Sequence, residues 1–434
     1  MQPTVAHESL RTQILADGGW VVLGQIGVAL GTLIGIRLLT EVVPPDVFGG
    51  VTLVSGVVAL GIGVSCSPVF QAVLRAYPES KSGDEIAALR KNAISILWVR
   101  GAWGYAAFLT GWLIFSYFRE ASLSIGILVA ALLAVESVRS LESTFLSAAR
   151  RQRPFALISA SEAWGRPLVA IVCVGVLGPT IQAVLTGYLA TSLVVLVCFY
   201  MLLTPEGMHG SLAQISSDSG LKERLEQYSL PLVPLGLIGW VTGVGDRYML
   251  AGMLGIEAAG VYAAIYGLIS RPFLLLGNAV ELTFRPIYNQ AVATGKPFHD
   301  RRVLFTWLGI VGGLGSVGFV ILAGFADVVV RLLLAKEYRA SVILVPWIAG
   351  GYLLLILSYV FEKVCYAYGT TRLVLLIQLC GALLSLSISY TAIRSWGLMG
   401  AATAVPIYFG LQLLLSVAAA SHTNSSRAQS TVRE

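Results

Sequence analysis

Gly18 to Thr40 reads GGWVVLGQIGVALGTLIGIRLLT, twenty-three residues with a single charge, Arg37, near the far end. The hydrocarbon core of a bilayer is about 30 Å thick and is crossed by about 20 apolar residues in an α-helix. The run is therefore long enough to span a membrane and is read as a retained span, not as a cleavable signal.

Runs of the same kind fill the rest of the chain. Of its 434 residues 56% are hydrophobic and 12% charged, and the mean hydropathy is +0.79. A soluble domain carries about 25% charge because its surface faces water. Soluble multidomain enzymes, nucleic-acid binders and disordered scaffolds are excluded on that ground. The excess of bases, net +6, fits membrane loops better than a nucleic-acid partner. The reading is an all-α polytopic membrane protein.

Apolar runs fall at about 18–40, 47–74, 93–118, 122–147, 155–177 and 180–203, then at 230–252, 256–288, 303–326, 341–366, 371–393 and 397–420. Twelve spans are expected, in a six-helix N-terminal lobe (1–210) and a six-helix C-terminal lobe (230–420). A polar connector (211–229) holds LKERLEQY, Leu221 to Tyr228, expected as a short interfacial helix; residues 421–434 read as a disordered tail. Alternate loops carry 16 basic residues against five in the opposite set, which places both termini in the cytoplasm. At an offset of 210, Gly35-x-Arg37 aligns with Gly245-x-Arg247, Gly50-Val51 with Gly260-Val261 and Arg75 with Arg285. Six spans per half make such halves parallel repeats about an axis along the membrane normal.

Removing the loop charges leaves Arg37, Arg100, Arg139, Arg166, Arg247, Arg271, Arg285 and Lys363 inside spans, with Glu136, Glu142, Glu162, Asp246, Glu281 and Glu362. A charge at a helix centre costs roughly 2.5–3.5 kcal/mol on insertion scales, so such groups face a bundle interior or a wet cavity. Arg37, Arg247 and Arg285 lie near span ends, where snorkelling is the competing reading. Glu162 and Arg166 are spaced i,i+4 and Glu136 and Arg139 i,i+3, so mutual neutralisation competes there. Arg100, Arg139 and Arg166 fall roughly 10–17 Å above the inner surface, and Arg271 near mid-membrane. Guanidinium grips phosphate oxygens through a planar fork and keeps its proton when buried. Seven arginines among eight embedded bases suit an anionic, phosphate-bearing substrate, with Arg37, Arg100, Arg139, Arg166, Arg247, Arg271 and Arg285 as its binding residues. Asp246, Glu281 and Glu136 are the candidates for a coupling cation.

Prolines follow three of these arginines, at Pro167, Pro272 and Pro286, and are candidate kinks. Trp98, Trp103 and Tyr105 flank Arg100 and are candidates for stacking on sugars, against a plain belt or packing role. The five cysteines sit in apolar runs without a CxxC pair, and the four histidines in connectors or tails, so no disulfide, metal or cofactor is expected.

The segment GDRYMLAGMLGIEAAGVYAAIYGLISRPFLLLGNAVELTFRPIYNQA, Gly245 to Ala291, resembles spans seven and eight of the polysaccharide-transport, or O-antigen flippase, family of the multidrug/oligosaccharidyl-lipid/polysaccharide (MOP) exporter superfamily. The matching positions are Asp246, Arg247, Gly255, Gly260, Tyr262 and Pro286. RLLTEVVPPDVFGGVTLV is similar to the family's first hairpin, and WGLMGAATAV (Trp396 to Val405) to the start of its last span. The resemblance implies a MATE-like fold of two lobes around a cationic lumen. It also implies outward movement of an undecaprenyl-linked oligosaccharide, an O-antigen (lipopolysaccharide) or exopolysaccharide repeat unit, across the bacterial cytoplasmic membrane. The protein is expected to be a monomeric transporter in the bilayer, working beside glycan polymerase machinery, and not an enzyme. The rivals are a drug/cation antiporter of the same superfamily, disfavoured by bases outnumbering acids eight to six in the spans, and a membrane glycan polymerase or ligase, disfavoured by the short outer loops.

Overall fold

A computed structural model describes residues 4–80, 82–99, 101, 122–203, 219–294 and 299–431. Among the described residues there is no strand. Lipid offers the backbone no hydrogen-bond partner, and a helix satisfies every peptide group within its own segment. Ten helices among the described residues are long and apolar enough to cross a membrane. Nine coincide with single expected runs. The tenth, Thr371–Thr423, is 53 residues long and covers both of the last two. Its backbone leaves the helix at Gly397, φ 57° and ψ −135°, where the last expected run begins. A Cβ is strained at such a φ, which is why glycine stands there. The expected third span lies largely outside the described residues, which stop at 101 and resume at 122.

The chain divides into two compact units, Met1–Val43 with Leu53–Trp240, and Pro44–Thr52 with Val241–Glu434. The first contains α1 (Thr4–Val42), most of α2 (Pro45–Gly61), α3 (Ser67–Ala76), α4 (residues 83–99), α5 (Leu123–Ala148), α6 (Gln152–Leu177), α7 (Ile181–Cys198), α8 (Ser219–Ser229) and the start of α9 (Val233–Leu254). A π-helical turn, Ile62–Cys66, joins α2 to α3.

The run that opened the sequence reading packs along α6. Gly24, Gly31 and Gly35 of α1 lie against Ala156, Trp164 and Pro167 of α6. A Cβ at Gly35 would sit 2.7 Å from the Pro167 ring, so the missing side chains set how closely the helices approach, as small residues do in membrane packing. Trp164 donates its indole N–H to the Gly27 carbonyl across the same seam, 3.0 Å. The LKERLEQY segment is helical, as expected. α8 buries Leu225 in a cluster with Val69, Val73, Leu89 and Ala93, with Leu221 and Tyr228 packed beside it.

The second unit holds the remainder of α9, then α10 (Ile256–Thr294), α11 (His299–Gly324), α12 (Ala326–Leu333), α13 (Val345–Ala367) and α14 (Thr371–Thr431). α13 packs against α10, α11 and α14 and is its central helix, with Ile348, Ala349, Ile356 and Val364 fully buried. The prolines after the arginines do not interrupt their helices: α6 continues through Pro167 and α10 through Pro272 and Pro286.

Candidate anion site and the buried charges

Four of the intramembrane charges of the first unit, Glu136, Arg139, Glu162 and Arg166, form a network. Glu136 and Arg139 share one face of α5, and Glu162 and Arg166 one face of α6, one helical turn apart in each case. Arg139 contacts Glu136 at 2.7 Å and Glu162 at 2.6 Å. Arg166 reaches Glu136 and Glu162, each at 2.5 Å. Ser192 of α7 donates its hydroxyl to Glu136, and the Arg166 guanidinium lies over the Tyr188 ring, 5.9 Å from its centroid. Both sequence-expected pairs are present, and two cross-helix contacts fuse them into a neutral quartet. The Glu136 side chain is 5% exposed, whereas that of Arg166 is 33% exposed, so one guanidinium edge of the quartet is open to an approaching group.

A second buried pair was not expected from the sequence. Arg90 precedes the third apolar run at 93–118 and so counts among the 16 loop bases. α4 begins ten residues earlier and places Arg90 on the stripe that buries Ala93 and Leu97. Its Nε donates to Glu142 of α5 at 3.0 Å, and Tyr200 donates its hydroxyl to the same oxygen at 3.1 Å. The ion-paired side chains are 4% and 1% exposed. The signal was available: Ala93 and Leu97 recur at i+3 and i+7 from Arg90, so the helical period runs back through it.

Arg37 ion-pairs with Glu41 one turn on, at the end of α1 where snorkelling competed. Arg100, Trp103 and Tyr105 lie outside the described residues; Trp98 is exposed.

The second unit is organised differently. Asp246 accepts the Tyr262 hydroxyl at 2.8 Å and the backbone N–H of Arg247 at 2.8 Å. The Arg247 side chain turns away, as adjacent helix positions require, and lies over the Tyr266 ring at 4.9 Å; its Nε is buried with no hydrogen-bond partner among the described residues. Tyr266 belongs to an aromatic nest with Tyr262, Tyr352 and Phe409, centroids 5.3 to 5.7 Å apart. The hydroxyls of Tyr266, Tyr352 and Tyr408 are joined by hydrogen bonds. Arg271, exposed in the middle of α10, is an electrostatic neighbour of Arg247. Among the described residues neither guanidinium is in an ion pair with a carboxylate. The Asp246 carboxylate, next in sequence, acts on Arg247 electrostatically without an ion-pair contact.

Nearer the end of α10, Glu281 is shared by Arg285 at 3.2 Å and Lys363 of α13 at 2.9 Å. Tyr366 lies under both cations, 6.0 and 5.5 Å from its centroid. Lys363 also acts electrostatically on the adjacent Glu362. The three carboxylates expected to hold a coupling cation are each engaged: Glu136 and Glu281 by bases, Asp246 by Tyr262 and a backbone N–H. Among the described residues no group of three or more His, Cys, Asp or Glu is placed to hold a metal ion.

The model of the family described as polysaccharide biosynthesis protein matches residues 14–291. No curated protein sequence matches the chain. Among solved structures, an inward-facing multidrug resistance transporter of the MATE family, of the MOP superfamily, superposes with a TM-score of 0.73 at 11% identity, over 93% of this chain and 99% of that one. The lipid II flippase MurJ in an inward closed conformation gives 0.62 at 13% identity, over 93% and 86%. A MOP-superfamily transporter from Pyrococcus furiosus, described by the reversed polarity of its binding pocket, gives 0.65 at 12%, over 95% of each chain. These likenesses establish the fold as that of the superfamily.

Proposed function

Because this chain belongs to the polysaccharide biosynthesis protein family of the MOP superfamily, we propose that it is a flippase for a lipid-(pyro)phosphate-linked oligosaccharide. It would carry an O-antigen or exopolysaccharide repeat unit across the bacterial cytoplasmic membrane by alternating access, with twelve spans and both termini in the cytoplasm. It moves its substrate unaltered. The observation that carries this reading is that Arg247 and Arg271 are electrostatic neighbours and that, among the described residues, neither makes an ion-pair contact with a carboxylate, Asp246 acting on Arg247 without one. A pyrophosphate supplies the missing negative charge, and charge-assisted contacts from guanidinium to phosphate are among the strongest hydrogen bonds a protein makes. The buried tyrosine nest beneath Arg247 holds its guanidinium in place, while the polyprenyl tail, chemically an undecaprenyl chain, remains in the bilayer.

Arg139 and Arg166 take a lesser part in this reading, since Glu136 and Glu162 already neutralise them; the open edge of Arg166 adds a weaker contact. A drug/cation antiporter needs a carboxylate free to take the cation. Each acid in the quartet is matched by arginine, which favours the flippase. Arg271→Ala expressed in a strain lacking the chromosomal gene should stop appearance of the polymer at the cell surface while the protein stays in the membrane. Undiminished surface polymer would remove the proposal, and loss of dye efflux instead would support the antiporter.

A further inference from the structure

The first unit carries a polar cavity of about 300 Å³ that the substrate reading leaves unused. It lies where the end of α3 and the turn after it, Tyr77–Glu79, meet α8. Its walls belong to two helical stretches of 35 residues each, Pro45–Glu79 and Gly220–Leu254. About 20 residues cross the hydrocarbon core, so the outermost turns of both stretches overhang it and the cavity stands at headgroup depth. The walls are fixed from behind. Val69 and Val73 of α3 share an apolar cluster with Leu225 of α8, and the Tyr77 ring meets Phe145 edge-on, 6.2 Å between centroids.

The charged groups lining the cavity are Arg75, Arg224 and Glu79, two bases and one acid. Arg224 takes Glu79 at 3.0 Å. Arg75 makes no ion pair among the described residues; its guanidinium lies over the Tyr228 ring, 4.7 Å from the centroid. Stacking uses the flat face of a guanidinium and leaves its N–H edge, the part that forks onto phosphate oxygens, available. Ala72 and Ala76, one turn apart on α3, line the same cavity and keep long side chains out of it.

A comparison within the chain shows what is unusual about Arg75. At the offset of 210 its counterpart is Arg285, which ion-pairs with Glu281 one turn back at 3.2 Å. One turn back from Arg75, at the same offset, stands Gln71. Each arginine lies over a tyrosine ring, Tyr228 or Tyr366. The stacking is common to both, whereas the neutralising carboxylate is present only beside Arg285. The cavity is left with one guanidinium in excess, at the level where a bilayer presents phosphate; basic pockets beside membrane helices bind anionic headgroups on this principle.

We propose that the cavity between α3 and α8 binds the phosphodiester headgroup of an anionic phospholipid. Arg75 grips the phosphate oxygens, Arg224 keeps Glu79 neutralised beside them, and the acyl chains stay in the bilayer. A lipid seated there bridges α3 and α8, and binding to the folded state alone stabilises the first unit. In the orientation read from the loop charges the lipid belongs to the cytoplasmic leaflet. The binding itself depends neither on that orientation nor on the flippase reading.

The test is native mass spectrometry of the full-length protein released from nanodiscs of mixed phosphatidylglycerol and phosphatidylcholine, paired with melting in the same discs. Wild type should retain phosphatidylglycerol selectively and melt higher than in phosphatidylcholine alone. Arg75→Ala, at an exposed position, should weaken that retention about 10-fold, the lower end for a hydrogen bond to a charged group, and lose the melting difference. Lys222→Ala removes a base of α8 that does not line the cavity and should change neither. Equal losses in these two variants would reduce the effect to diffuse surface charge and overturn the site. Ala76→Leu keeps every charge but fills the cavity, and should behave as Arg75→Ala does; full retention there would also overturn it. Inorganic phosphate that raises the midpoint in phosphatidylcholine discs as far as phosphatidylglycerol does would overturn the lipid as occupant in favour of free phosphate. Failure of the flippase proposal alone would leave all these readouts intact.

Discussion

Glu136→Ala is the perturbation that best probes how the first unit tolerates charge within the membrane. The substitution leaves Arg139 and Arg166 sharing only Glu162, so one guanidinium within the spans becomes surplus. An unpaired charge at depth costs roughly 2.5–3.5 kcal/mol on insertion scales, and breaking a buried pair by removing one partner costs about 3–5 kcal/mol. The two scales meet near 3 kcal/mol. The lower end applies because Arg166 is a third exposed and water screens part of its charge. At roughly 2–4 °C per kcal/mol for a unit of this size, the thermal midpoint should fall by about 6–12 °C. The diagnostic step is the double variant Glu136→Ala with Arg139→Ala. It removes one acid and one base and leaves the Arg166–Glu162 contact at 2.5 Å complete. If neutrality is what matters, the double variant is more stable than the single by about 1 kcal/mol or more, with a midpoint roughly 2–4 °C higher. Intrinsic tryptophan fluorescence during heating in nanodiscs reads this directly. A double variant as unstable as the single, or more so, would refute the charge-balance argument and leave the carboxyl's own packing as the reason for the loss.

Three further outcomes follow from other contacts. Arg90→Ala strands Glu142, whose side chain is 1% exposed, and should cost about 3–5 kcal/mol, seen as loss of monodisperse protein on size exclusion; near-normal yield would contradict the buried pair. Gly35→Leu drives a side chain into the Pro167 ring and should destabilise by about 1–3 kcal/mol, whereas the same change at Gly19, with open space around its Cβ position, should be neutral in the same melting assay. Arg166→Lys keeps the charge but loses the fork that reaches both acids, and is expected to lower the melting midpoint less than Arg166→Ala.

The helices were legible in the sequence because a long apolar run with one charge has one low-energy structure in lipid. Run boundaries were less so. Arg90 was misplaced because a charged residue near a span end looks like loop until the buried stripe on either side of it is followed. Individual i,i+3 and i,i+4 pairs in α5 and α6 were readable, since spacing along one helix fixes which side chains meet. Their fusion into a quartet was not, because the α5–α6 contact is tertiary. The same limit hid the contacts of Gln378 and Gln412 with Glu362, which join α14 to α13. The contrast between Arg139 and Arg166, each in ion pairs, and Arg247 and Arg271, in none among the described residues, was invisible to a count of charges, which treats all seven alike.

The central claim is that Arg271 and Arg247 grip the phosphate group of a lipid-linked glycan. The most direct measurement is the affinity of the purified protein, in nanodiscs, for undecaprenyl-pyrophosphoryl oligosaccharide, compared between wild type, Arg271→Ala and Arg139→Ala. A hydrogen bond to a charged group is worth about 1.5–3 kcal/mol, so Arg271→Ala should weaken binding by roughly 10- to 150-fold, with Arg139→Ala changing it little. Equal affinity of Arg271→Ala and wild type, or a larger loss in Arg139→Ala, would contradict the account.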